Sequence, residues 1–178
     1  MNENYPSVVV KAARKIRLVL LDVDGVLTDG KLYYGNSGEE LKAFDIQDGL
    51  GIKLLQRGGI KVGIITGRSS TLLKRRAEEL AIEPLVQGRE DKLTALNELL
   101  DTMDISLDEI AFMGDDLPDL AVIRRVGLGM TPANGNNQLV SQALWQTVKS
   151  GGNGAVREAA ELILESQKKL KSLLEAYQ

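Results

Sequence analysis

Val19-Leu20-Leu21-Asp22-Val23-Asp24-Gly25-Val26-Leu27-Thr28-Asp29-Gly30 decides the reading of this chain. An apolar run from Leu18 to Leu21 stops at two carboxylates, Asp22 and Asp24, followed at once by glycine. A run this short and this apolar reads as a strand buried on both faces. Such strands belong to parallel sheets covered by helices on either side. Open α/β sheets bind ligands at the carboxyl ends of their strands, and that is where the two acids fall. Gly25 permits a sharp turn just beyond, so both carboxylates can face one crevice. Two acids there repel and resist ionising together. A hard cation such as Mg²⁺ relieves that conflict.

Outward from this stretch the chain alternates between strand and helix patterns. Residues 7–15 read as a short amphipathic helix leading into the first strand. Residues 31–34 and 41–44 flank Gly35-Asn36-Ser37-Gly38 and read as a hairpin. Asp48 is placed to cap a helix that runs to Arg57 and closes at Gly58-Gly59. Strands follow at 60–65, 84–86, 110–113, 126–130 and 144–148, with helices at 69–80, 91–103 and 117–125 and a last helix after Gly151-Gly152-Asn153-Gly154. This alternation predicts an α/β fold, a doubly wound parallel sheet of Rossmann-like type. The hairpin at 31–44 would be a small flap, with no large cap domain. In the last helix Val156, Ala160, Ile163, Gln167, Leu170, Leu174 and Tyr177 alternate four and three apart. Such a seam suits packing on a neighbouring chain or on its own domain equally well.

Composition narrows the chemistry. A length of 178 residues suggests a single domain over 1–178, with 150–178 as a C-terminal tail and helix. The net charge of −3 gives no reason to expect nucleic acid or an anionic membrane as partner. No segment has the length and purity of a membrane span. Met1-Asn2-Glu3-Asn4 lacks the basic and apolar regions of a secretory signal, so a cytoplasmic protein is expected. The absence of cysteine excludes disulfides, thiol nucleophiles and thiolate metal sites. The absence of histidine excludes phosphohistidine chemistry, a Ser-His-Asp triad and the usual zinc sites. Catalysis would rest on carboxylates, lysine, arginine, hydroxyls and a metal that accepts oxygen ligands.

Four features fall at the carboxyl ends of successive strands: Asp22 and Asp24; Thr66-Gly67-Arg68; Lys92; and Gly114-Asp115-Asp116-Leu117-Pro118-Asp119. Each alone has an ordinary explanation. Thr66 can cap a helix, Lys92 can be a solvated charge, and Asp115 and Asp116 can favour a helix dipole. Together they form a coherent set for phosphoryl transfer. A metal offsets charge on the phosphoryl oxygens, the Thr66 hydroxyl and nearby N–H groups hold those oxygens, and Lys92 supplies a point charge.

The chain resembles the haloacid dehalogenase superfamily of phosphotransferases. Asp-x-Asp-Gly-x-x-Thr is matched by Asp22 through Thr28, the strand-terminal hydroxyl by Thr66, the lysine by Lys92, and Gly-Asp-Asp-x-x-Asp by Gly114 through Asp119. Phe44-x-x-x-Asp48-Gly49-x-Gly51-Ile52, Gln87-Gly88-x-x-x-Lys92 and Gly151-Gly152-x-Gly154-Ala155-Val156-Arg157-Glu158 narrow the resemblance to the branch acting on eight-carbon ulosonate 8-phosphates. The resemblance implies a Mg²⁺-dependent phosphomonoesterase. Asp22 would be the nucleophile and Asp24 the acid and base, with Thr66 and Lys92 also catalytic. Asp22, the Asp24 carbonyl and Asp115 would hold the metal, and Asp116 and Asp119 would order the site. Thr66, Gly67, Arg68, Arg89, Lys92 and Arg157 would contact a sugar acid phosphate. Relatives with so small a cap form homotetramers in which neighbours complete the crevice. Here Gly151–Gly154 would free the tail to carry Arg157 to a neighbour. Thr131-Pro132-Ala133-Asn134-Gly135-Asn136 departs from an Ala-rich, His-Pro segment usual in the branch, and 143–147 departs from its Tyr-Val-Thr core. Alternatives are a phosphatase for a nine-carbon ulosonate, a non-catalytic regulatory or assembly module, and a bacterial receiver domain. The last would keep its phosphoacceptor on a strand apart from its acid pair.

Overall fold

The computed structural model describes residues 5–36 and 40–177. Helix α1 (Ser7–Ala13) leads into β1 (Leu18–Leu21). An antiparallel pair follows, β2 (Tyr33–Tyr34) and β3 (Glu40–Leu41), and forms the expected flap. Of its expected turn, Gly35-Asn36-Ser37-Gly38, the last two residues lie outside the described residues. Next come α2 (Ile46–Arg57), β4 (Lys61–Ile65), α3 (Thr71–Leu80), β5 (Leu85–Val86) and α4 (Lys92–Leu100). The second half holds β6 (Ile110–Met113), α5 (Leu120–Ile123), β7 (Leu128–Thr131), α6 (Asn137–Val140), β8 (Trp145–Gln146), α7 (Ala155–Ser166) and α8 (Leu170–Glu175).

The main sheet has the order β5-β4-β1-β6-β7-β8, and every pairing in it is parallel. Strand β1 separates two apolar layers. Val19 and Leu21 join residues of α1, α2, α3 and α7, and Leu18 and Leu20 join residues of α4, α5 and α6. All four are essentially inaccessible, as the unbroken apolar run predicts for a strand covered on both faces. The fold is therefore the doubly wound α/β sheet.

The site's position follows from the winding. The chain leaves β1 for β4 and β5, then returns to β6 on the other flank of β1. The loops after β1 and β6 thus diverge in opposite directions, which opens a crevice between them. Leu21 pairs with both Ile64 and Met113. That register ends β1, β4 and β6 almost level, so Asp22, Thr66 and Gly114 emerge side by side.

Asp48 does not cap its own helix, contrary to expectation. Asp45 does, its Oδ1 accepting from the Gln47 and Asp48 N–H groups. Asp48 lies buried one turn further on and caps α7 instead. Its Oδ1 accepts from Arg157 N at 2.8 Å and its Oδ2 from Gly154 N at 3.3 Å. The N-cap position of α7 is Gly154, with φ 95° and no side chain to offer, so the cap comes from 106 residues away. Burial raises the Asp48 pKa to about 6 in spite of these bonds.

Nor is the heptad-like seam one helix. Lys168 takes φ 59° and separates α7 from α8. The first half of the seam, Val156, Ala160 and Ile163, is buried in the chain's own core, where α7 packs on α2 and α1. Gln167 turns back, its Nε2 donating to the carbonyls of Ala13 and Ile16 at 3.1 and 2.8 Å.

Candidate active site

A crevice of about 310 Å³ opens at the carboxyl ends of β1, β4 and β6, and Asp22, Asp24, Thr66, Lys92 and Asp115 line it. A larger hollow of about 790 Å³ lies beside Lys61, at the amino end of β4, the end of the sheet opposite the crevice. It gathers no comparable set of acids, so the smaller space is the candidate site.

Lys92 opens α4, and its side chain is buried between two carboxylates. Its Nζ lies 2.8 Å from Asp22 Oδ1 and 2.5 Å from Asp119 Oδ1. Burial alone would lower the Lys92 pKa, but Asp119 and Asp22 outweigh it and hold the ammonium above the usual lysine value. Asp119 is engaged on both oxygens: its Oδ2 accepts from Asp115 N at 3.1 Å and Asp116 N at 3.4 Å. It therefore shapes the acidic loop from behind. Burial, with Asp22 next to it, raises its pKa to about 6.

Asp115 faces the crevice. Burial, then the charges of Asp22, Asp119 and Asp116, raise its pKa to about 7. Carboxylate oxygens of Asp22, Asp115 and Asp119 all lie within 4.8 Å of one another. Gly25, at φ +89°, makes this approach possible, because a Cβ there would stand 2.0 Å from Asp115 Oδ2. Crowded, partly desolvated carboxylates offering only oxygen fit a hard divalent cation, which removes the repulsion that raises Asp115.

Asp24 points to the flap side. Its Oδ1 lies 2.5 Å from Lys42 Nζ and its Oδ2 3.6 Å from Arg68 Nε. Arg68 also donates to the Tyr34 hydroxyl of β2 at 3.3 Å, so it bridges crevice and flap. Thr66 is buried at the end of β4, its N–H donating to the Val86 carbonyl at 3.0 Å.

Two of the three candidate arginines stand elsewhere. The Arg89 guanidinium is held by Asp91 (2.7 and 2.9 Å) and Glu98 (2.7 and 3.0 Å) and does not line the crevice. Arg157 lies on α7, its Nε 2.6 Å from Glu161, and is likewise absent from the crevice of its own chain. The glycines before it are not a hinge. Gly151 N donates to Asn134 Oδ1 at 2.7 Å, and Gly152 N donates to the Val26 carbonyl at 2.9 Å. Asn134 Nδ2 in turn reaches the Gly25 carbonyl at 3.4 Å. The glycines are present for close approach, since a Cβ on Gly151 would lie 1.8 Å from that carbonyl oxygen. The segment 149–154 thus braces the loop that carries both acids. Gly151→Ala is expected to displace Gly25 and lower kcat at least about tenfold, because small misplacements of reacting groups have large effects. A steady-state assay beside a circular dichroism spectrum checks this; unchanged kcat would show that the brace is dispensable.

Lys42 and Asn134 carry no sequence signal of a site. Lys42 sits in a stretch that reads as an apolar flap strand, and Asn134 in a loop whose composition indicates only a turn. Asn136, in the same atypical segment, donates from Nδ2 to Asp116 Oδ1 at 2.9 Å and from its N–H to the Asp115 carbonyl at 2.8 Å. The departure at 131–136 therefore still grips both acid loops.

Residues 82–159 match the model of the haloacid dehalogenase-like hydrolases. The 3-deoxy-D-manno-octulosonate 8-phosphate phosphatase of Yersinia pestis is 48% identical over 163 residues, 92% of this chain and 87% of its own length. This chain belongs to that phosphatase family of haloacid dehalogenase-like hydrolases. The family member from Escherichia coli strain K12 is 46% identical, over 91% of this chain and 86% of its own. The Moraxella catarrhalis phosphatase, solved with a magnesium ion, a phosphate ion and a KDO molecule, is 45% identical with a TM-score of 0.96. That match covers 98% of this chain and 100% of the other. The cobalt-bound Haemophilus influenzae phosphatase is 36% identical with a TM-score of 0.86, covering 89% and 92% of the two chains. As a member of this family the chain is a phosphoric monoester hydrolase.

Proposed function

We propose that this chain hydrolyses 3-deoxy-D-manno-octulosonate 8-phosphate to the free sugar acid and inorganic phosphate, through an aspartyl phosphate on Asp22. The observation that carries this reading is the Asp22 carboxylate at the end of the central strand, 2.8 Å from Lys92 and crowded against Asp115. An Asp22 oxygen attacks phosphorus while the bond to the sugar oxygen breaks, and Asp24 gives its proton to that oxygen. Asp24 then takes a proton from water, whose oxygen attacks phosphorus and frees Asp22. Thr66 and the Gly67 N–H hold phosphoryl oxygens, and Lys92 balances their charge. Asp22, the Asp24 carbonyl and Asp115 would hold Mg²⁺, which supplies charge neutralisation at the phosphoryl oxygens. Arg68 offers a fork for the carboxylate or hydroxyls of the sugar acid.

The reading includes assembly into a homotetramer whose neighbours cover the crevice. Exposed Leu32, Tyr33, Tyr34, Leu41 and Ile46 around the flap support it, and light scattering tests it. The substrate is tested by phosphate release across a panel of sugar acid phosphates. The eight-carbon 8-phosphate is expected to give the highest kcat/KM, by about tenfold or more over a nine-carbon 9-phosphate. A reversed order would assign the chain to the nine-carbon substrate, and no release from any member would favour a non-catalytic module.

A further inference from the structure

Lys42 is the first residue after β3, and its side chain is 2% exposed. Lysine is almost never so buried without a partner. Asp24 is one such partner, at 2.5 Å. Burying such a pair adds little or no stability compared with apolar residues of the same shape, so stability does not account for its presence. The flap grips Asp24 a second time, since Arg68, 3.6 Å from the other carboxylate oxygen, is bound to Tyr34 of β2. The flap therefore reaches this carboxylate directly through Lys42 and indirectly through Tyr34 and Arg68, and Lys92 leaves that carboxylate alone to pair with Asp22 and Asp119.

We propose that Lys42 is the positioning residue for Asp24: its ammonium fixes the Asp24 carboxylate over the crevice and so makes the flap part of the proton-transfer machinery. The inference rests on Asp24 being the acid and base. Without Lys42 the carboxylate loses its 2.5 Å contact and keeps the 3.6 Å one to Arg68, and both steps that need it slow. These are protonation of the sugar oxygen as the phosphorus–oxygen bond breaks, and removal of a proton from the water that attacks the aspartyl phosphate. Attack by Asp22 on an ester whose leaving group needs no proton is unaffected.

That split gives the test. Lys42→Met keeps the aliphatic stem and removes the charge. With the sugar acid phosphate, kcat is expected to fall about 100-fold, the typical size of a positioned proton transfer, while KM stays within about twofold. With p-nitrophenyl phosphate the first turnover stays fast and later ones slow. Rapid mixing should then show a nitrophenolate burst approaching one per site, larger than that of the unaltered enzyme. Lys42→Arg should recover most of the loss, and Lys42→Gln, measured identically, serves if the methionine variant does not fold. The proposal is overturned by turnover within threefold of the unaltered enzyme, by equal losses on both substrates without a burst, or by a raised KM at unchanged kcat. Asp24→Asn is run in parallel. If it turns over normally, the acid-base assignment fails and the inference with it. If it is inactive while Lys42→Met is normal, only the inference fails.

Discussion

Asp22→Asn is expected to lower turnover by roughly four orders of magnitude or more, the scale seen when a covalent nucleophile is removed, and to leave no phosphorylated enzyme. The amide has the size of the carboxylate but is a poor nucleophile. The fold should tolerate the change, because Lys92 keeps its second partner, Asp119, at 2.5 Å. Asp24→Asn should also stop turnover of the sugar acid phosphate, for a different reason: Asp22 remains able to attack, but the sugar oxygen leaves without a proton. With p-nitrophenyl phosphate the Asp24 variant should accumulate the aspartyl phosphate, and intact-protein mass spectrometry should detect one added phosphoryl group per chain. The Asp22 variant should show none. Normal turnover by Asp22→Asn would sink the covalent mechanism, whatever the Asp24 variant does.

The convergence of these carboxylates on one crevice is legible in the amino-acid sequence, because each follows a strand pattern directly. A parallel sheet wound in two directions brings the ends of β1, β4 and β6 together. A linear order of Asp22, Thr66, Lys92 and Asp115 therefore translates into one crevice without knowledge of side-chain contacts. Pairings between distant segments are not legible in the same way. Asp45 and Asp48 both fit a helix start, and only the arrival of α7 shows that Asp48 serves another helix. Glycine writes freedom and close approach with the same letter. Gly151 reads as a hinge and is in fact pressed against the Gly25 carbonyl. Arginine side chains are long enough to choose among several acids, so adjacency to a motif does not place Arg89, which turns to Asp91 and Glu98. For Arg157 a signal does exist, since Glu161 stands four residues on along the same helix. Lys42 offers none. Its burial depends on how the flap folds back over Asp24.

Removing the metal should eliminate activity, and Mg²⁺ should restore it. Calcium should bind yet support little turnover, because its larger and looser shell misplaces nucleophile and phosphate. The electrostatics add a pH dependence with a definite sign. Burial and the neighbouring acids raise the Asp115 pKa from 3.8 to about 7 in the metal-free protein. Below about 7 the proton on Asp115 competes with the cation, so the apparent Mg²⁺ affinity should weaken by up to about tenfold per pH unit and level off above. The metal-free fold responds in the opposite direction. A carboxyl whose folded pKa is raised contributes stability that is complete below its unfolded value of 3.8 and is lost as the pH rises through about 7. At pH 8 the metal-free protein therefore carries the repulsion among Asp22, Asp115 and Asp119, and Mg²⁺ relieves it by binding the native state alone. Thermal unfolding with and without Mg²⁺ should show a larger upward shift at pH 8 than at pH 6, at equal metal concentration. Full activity after exhaustive chelation would remove the metal from the mechanism. Equal shifts at the two pH values would instead show that Asp115 does not exchange its proton for the cation.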